Sequence, residues 1–127
     1  MSSEVASMKE QVMEQDLGKV FIAPGVLVTI ARLTALSVPG VVRMSRGWPD
    51  SVSHFLGRTV SGEGVRIQVE DNTVSVALSL IVERDKSILE LAHAVQAEVA
   101  RAIEEIVGMA VKEVNVHIQD VEGFVAG

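Results

Sequence analysis

A chain of 127 residues suits one domain and can bury roughly two-thirds of its unfolded surface, so it needs neither disulfide nor metal to hold a core. It contains no cysteine, which excludes disulfides and thiolate metal sites, and its residues are 48% apolar but only 3% aromatic, so the core must be aliphatic. Seventeen acidic residues against eleven basic ones give a formal charge of −6, which argues against a general nucleic-acid binder and against adsorption to anionic lipid.

Residues 1–17 read as a mobile acidic tail, because Val5, Met8 and Val12 are too sparse to form a stable apolar face. The N-terminus has no basic segment followed by an apolar run, so no signal peptide is expected. The longest uncharged stretch, Val20 to Ala31, is broken by Pro24 and is shorter than the roughly 20 residues a membrane-spanning helix needs.

Lys19 to Ala23 predicts a first strand. Pro24 suits the first turn of a helix, where its missing N–H costs nothing. Val26, Ile30 and Leu33 follow at helical spacing with Leu27 and Ala31 beside them, so this helix is apolar over most of its surface and is expected to be well buried. Pro39-Gly40 ends it, and Val41 to Met44 predicts a short strand. Residues 46–63 are punctuated by glycine and read as a loop with room for one helical turn capped by Asp50. Trp48 and Phe55 lie in that loop.

The next segment is the most informative. Val65, Ile67 and Val69 alternate with polar residues, and after Asp71-Asn72 a second alternation runs Val74, Val76, Leu78, Leu80, Val82. With Asp71 and Asn72 at the centre of a two-residue turn, Val69 faces Val74, Ile67 faces Val76 and Val65 faces Leu78. All apolar residues then share one face, and a slip of one residue would destroy the match.

Ser87 to Glu90 forms a capping box that opens a second helix. Its apolar stripe is Ile88, Leu91, Ala92, Val95, Val99, Ala102, Ile103 and Ile106, and Gly108 supplies the stop. Val114, Val116 and Ile118 alternate with polar residues as a last strand.

The pattern predicts an α+β fold: two layers, a mixed sheet of four to five strands with two helices packed on one face, in the order strand, helix, strand, hairpin, helix, strand. The domain is expected over residues 18–121, with a short tail over 122–127.

The sequence shows no catalytic constellation. His54, His93 and His117 have no metal-ligand spacing and read as surface histidines. Gly57 to Gly64 lacks the Lys-Ser/Thr ending of a phosphate loop and precedes a strand, not a helix. No Gly-x-Ser-x-Gly elbow is present. The polar sheet face offers Arg66, Gln68, Ser75, Ser79 and His117 with no aromatic, so it lacks the stacking platform of sheet-based RNA-binding modules. No catalytic residue, cofactor or metal is expected.

Gly18-Lys19-Val20-Phe21-Ile22-Ala23-Pro24, Ile30-Ala31 and Val38-Pro39-Gly40-Val41 resemble the opening of alkaline-shock-family domains. So do Gly64 to Val69 and Val74 to Leu78. The ending is similar as well: Ile88, Val95-Gln96, Val99, Val111, then Val114-Asn115-Val116-His117-Ile118. The resemblance covers roughly residues 18–121, mostly at apolar core positions and glycines. Two departures stand out. Glu83-Arg84-Asp85-Lys86 is more charged than the family usually shows, and Ile106-Val107-Gly108 replaces a common Met-Thr-Gly. The resemblance implies a non-enzymatic protein of the bacterial envelope stress response. Such a protein is cytoplasmic, acts as a scaffold or interaction module and reaches the membrane through a small anchor protein. The alternative it implies is a metabolite-sensing or regulatory protein linked to lipid metabolism. The candidate partner surface is Trp48, Phe55 and Ile81, with Ile81 on the polar side of its strand as a further patch for a homo-oligomer.

Overall fold

The structure is a computed structural model and describes residues 11–15, 17–48, 59–84 and 87–123. The elements in chain order are β1 (Gln11–Gln15), β2 (Gly18–Ile22), α1 (Pro24–Ser37), β3 (Val41–Met44), β4 (Thr59–Gly62), β5 (Val65–Glu70), β6 (Thr73–Glu83), α2 (Ile88–Ala102) continued by a π-helical turn (Ile103–Val107), and β7 (Ala110–Glu122). β1 and β2 form a separate antiparallel pair, and the other five strands form one sheet. β1 falls inside the segment read from sequence as a tail; its backbone pairs with β2 from Gln11↔Ile22 to Gln15↔Gly18.

β6 is the central strand. Along one edge it pairs antiparallel with β5 and then, further on, with β3; along the other it pairs parallel with β7 for its whole length. β4 extends the sheet beyond β5. The sheet is therefore mixed, and its one parallel pair is joined by α2, since parallel neighbours require a crossover. β4 was read from sequence as part of the loop, because Thr59 to Gly62 carries a single large apolar residue, Val60, and no alternation.

The hairpin has the register that the alternation demands: Val69↔Val74, Ile67↔Val76 and Val65↔Leu78. Asp71 and Asn72 both take left-handed conformations, at φ 51° and 62°, as a two-residue turn matched to strand twist requires. The apolar face of β5 and β6 meets Leu27, Ala31 and Ala35 of α1, and Leu91, Val95, Val99 and Ile103 from α2 and its π turn, in one aliphatic core. Both helices thus lie on one sheet face.

β7 is longer than its alternation suggested, and two bulges explain why. Its register with β6 shifts between Val74 and Ser75 and again between Leu80 and Ile81, so Lys112 and Gln119 are extra residues. Each bulge flips the alternation, so Val111, Val114, Val116, Ile118 and Val121 all reach the core face despite their mixed spacing.

Both helices begin as predicted. Pro24 occupies the first turn of α1, and the Ser87 side chain accepts from the Glu90 N–H at 3.4 Å at the start of α2. Two expectations are corrected. α1 is not buried all round: Leu27, Ala31 and Ala35 form a narrow stripe in the core, while Val26 and Leu33 remain 42% and 54% exposed. At the end of α2 the buried residue is Val107, not Ile106. There the Gly108 N–H reaches back five residues to the Ile103 carbonyl, at 3.2 Å, and the wider turn carries Ile106 outward. Gly108, at φ 83°, then ends the helix as expected.

Candidate functional site

β3 and β5 meet end to end against β6 at Ser79. The Ser79 N–H donates to the Gly64 carbonyl at 2.9 Å, and the Ser79 carbonyl accepts from the Ser45 N–H at 2.8 Å. Gly64 is required at this junction. Its φ is 77°, and a Cβ would fall 2.7 Å from the Ser45 carbonyl oxygen and 2.9 Å from the Met44 Cβ. The Ser79 side chain lies on the sheet face away from the helices, where its hydroxyl donates to the Gly47 carbonyl at 2.6 Å. The Gly47 N–H in turn donates to the Ser45 hydroxyl at 3.1 Å. The chain leaving β3 is thereby folded back across the second face of the sheet, and it brings Trp48 with it.

Trp48 is half-buried. The Arg66 guanidinium carbon lies 4.4 Å from its ring centroid, a cation–π contact, and the His117 ring meets it edge-on at 5.9 Å and 68°. Arg66 pairs with Ala77 and Ser79 with His117, so the indole spans β6 from β5 to β7. Beneath it Ala77 and Ser79 are 1% and 0% exposed. The second face is therefore neither open nor free of aromatics, as the alternation alone had implied. Burial pushes the His117 pKa below its ordinary value, and the positive charge of Arg66 pushes the same way. Both effects favour the neutral imidazole, and the Ser79 hydroxyl is committed to Gly47. This constellation works as a clamp that fixes the connection after β3.

The three candidate surface residues are not brought together among the described residues. Trp48 sits in the clamp, Phe55 lies outside the described residues, and Ile81 is only 9% exposed. The expectation that Ile81 forms an exposed patch is corrected. It lies on the central strand between Arg43 of β3 and Asp120 of β7, where both edges are occupied. Ser75 on the same face is buried too. Among the described residues, the large apolar residues that do stay exposed are Leu17 before β2, Val20 and Phe21 on β2, Val26 and Leu33 on α1, Val42 on β3, and Ile88, Leu89 and Ile106 at the two ends of the second helix. Among the described residues no group of three or more His, Cys, Asp or Glu side chains is arranged to hold a metal ion. No described helix is long and apolar enough to cross a membrane.

The sequence matches a family model. A family model for the alkaline shock protein family, described as having a cell envelope-related function, matches residues 12–123, and the chain belongs to that family. It is similar to the Bacillus subtilis (strain 168) protein YqhY, at 29% identity over 106 residues, covering 84% of this chain and 78% of YqhY. It is similar also to YloU of the same organism, at 27% identity, covering 82% of this chain and 88% of YloU. Among solved structures, a variant of the MamM CTD matches with a TM-score of 0.50 at 17% identity, over 76% of this chain and 93% of that one. At that identity the likeness concerns the fold alone.

Proposed function

We propose that this alkaline-shock-family chain is a non-enzymatic interaction module of the bacterial envelope stress response, cytoplasmic in itself and held at the membrane by a small anchor protein. One observation carries the reading. The fold completes its aliphatic core and still leaves Leu17, Val20, Phe21, Val26 and Leu33 exposed within one stretch of seventeen residues, with Phe21 at 56%. Val26 and Leu33, two turns apart on one side of α1, and Phe21 on β2 present exposed apolar area of the kind that favours contact with another protein. Trp48 and Phe55 in the connection after β3 are the second part of the proposed surface. Ile81 is not, because it is only 9% exposed.

The test is co-purification from the native cell. A Phe21→Ser, Leu33→Ser variant keeps the core intact and is expected to melt near the wild-type temperature while losing a partner that wild type retains. A variant that keeps every partner at wild-type yield would overturn this assignment of the surface.

A further inference from the structure

A cleft of about 270 Å³ lies between the C-terminal half of α1, the end of β3 and the turn between β4 and β5. Arg32, Leu36, Arg43, Met44, Arg46 and Glu63 line it. Three arginines from two separate elements and the turn after β3 thus converge in a protein whose formal charge is −6. Arg43 is paired with Glu122 on β7, and both side chains are substantially exposed. Among the described residues Arg32 and Arg46 have no hydrogen-bond or ion-pair partner, and neither has Glu63. The core does not need this arrangement, since the charges contribute nothing to it and the three arginines repel one another. Two uncommitted guanidinium groups and one carboxylate therefore face the same space.

The chemistry of the lining selects a ligand class. Guanidinium groups present planar forks of N–H donors that match the oxygens of phosphate, and Arg43 keeps further donors beyond those a single carboxylate occupies. Its exposed pair with Glu122 is weak enough to share. Glu63 would repel a bare anion, but it accepts hydrogen bonds from a hydroxyl or an ammonium group on the same ligand. Leu36 and Met44 give the wall a short apolar strip. The volume equals about nine waters at ~30 Å³ each. It falls just below the range of roughly 300–1,000 Å³ typical of drug-sized ligands. That is room for a phosphate on a short stem, with the cleft open to solvent on one side.

We propose that this cleft binds a small phosphate monoester, with the phosphate among Arg32, Arg43 and Arg46 and a hydroxyl or ammonium group of its stem against Glu63. The proposal rests on the lining of the cleft and not on the partner-contact reading above. The same phosphate chemistry is offered by a soluble metabolite and by a lipid head group, and the test separates them.

The full chain is titrated at low salt with inorganic phosphate and with glycerol phosphate, followed by amide shifts of Leu36 and Met44 and by calorimetry. Saturable binding is expected, tighter for glycerol phosphate. It weakens at least tenfold in Arg32→Gln, Arg46→Gln and is unchanged in Arg101→Gln, a control on α2. Arg46→Gln alone, at the exposed rim, repeats the test should the double variant fold poorly. Glu63→Gln is expected to erase the preference for glycerol phosphate over inorganic phosphate. In parallel the chain is floated with vesicles containing phosphatidic acid, whose head group is a phosphate monoester, and with phosphatidylcholine vesicles. Flotation with the first alone, lost in the arginine variants, would support the site and assign its phosphate to a lipid head group. Absence of saturable binding to all of these ligands up to about 10 mM, the scale of the weakest specific sites, would overturn the proposal. So would equal affinity of wild type for the two soluble ligands, or an equal loss in Arg101→Gln.

Discussion

The Ser79 hydroxyl donates to the Gly47 carbonyl at 2.6 Å and so ties the centre of β6 to the turn that carries Trp48. Ser79 is fully buried, whereas Gly47 is exposed and can regain water if the bond is lost. Ser79→Ala is therefore expected to cost only about 1 kcal/mol. It is also expected to loosen the indole from its place over the sheet, shifting Trp48 emission to longer wavelength, and Trp48 is the sole tryptophan. Denaturant unfolding and fluorescence on the same samples check both. Unchanged values of each would contradict the clamp.

The hairpin register predicts a graded response to buried charge. Val76 is fully buried on the core face, so Val76→Asp should lose several kcal/mol. Ser75, one residue away, looks like a harmless control by alternation, but it is only 7% exposed beneath the second face. Ser75→Asp is therefore expected to cost about 2 kcal/mol. Asn115, exposed on β7, should accept Asp with little change. Melting temperatures in the order Asn115→Asp, Ser75→Asp, Val76→Asp, highest first, are the expected result.

Two glycines should respond oppositely to alanine. At Gly64 the added Cβ meets backbone at 2.7 Å and the conformation is left-handed, so Gly64→Ala is expected to cost about 2 kcal/mol or more. At Gly25 in the first turn of α1 the Cβ meets nothing within 4 Å. Gly25→Ala should stabilise by about 0.5–1 kcal/mol through helix propensity and a less flexible unfolded chain. Equal effects at the two positions would contradict the strand junction at Ser79.

His117 gives a pH dependence whose sign follows from its environment. Burial, assisted by Arg66, lowers its pKa in the folded state below the ordinary 6.5. The unfolded chain then binds the proton more readily, so this contribution to stability is present above pH 6.5 and is lost as pH falls from there through the folded-state pKa. His117→Gln is expected to flatten the dependence of unfolding free energy on pH in that window. A slope identical to wild type would show that the imidazole is not desolvated beneath Trp48.

The hairpin and the helix starts were legible in the sequence because their signals are local. Val69 and Val74 are separated by one turn, and Ser87 caps through Glu90 three residues on. What escaped depended on contacts distant in sequence. Trp48 crosses the sheet only because Gly47 bonds Ser79, thirty-two residues away. The arginine cleft joins Arg32, Arg46 and Glu63 across three segments. The ends of β7 and α2 escaped for another reason. Bulges at Lys112 and Gln119 and a π turn at Ile103–Val107 shift the period that a regular pattern assumes. Ala77 and Ile81, apolar residues among the polar positions of that face of β6, were a local sign that the second face is covered.

The most direct test of partner-borne membrane attachment compares the chain in its cell with the chain alone. In cell lysates the wild-type protein is expected in the membrane fraction, and deletion of its co-purifying anchor should release it. The purified chain is expected to remain at the bottom of a flotation gradient with phosphatidylglycerol liposomes, because no described helix can cross a bilayer and the charge of −6 opposes an anionic surface. Flotation of the purified protein with these phosphatidylglycerol liposomes, without any partner, would contradict the proposed attachment.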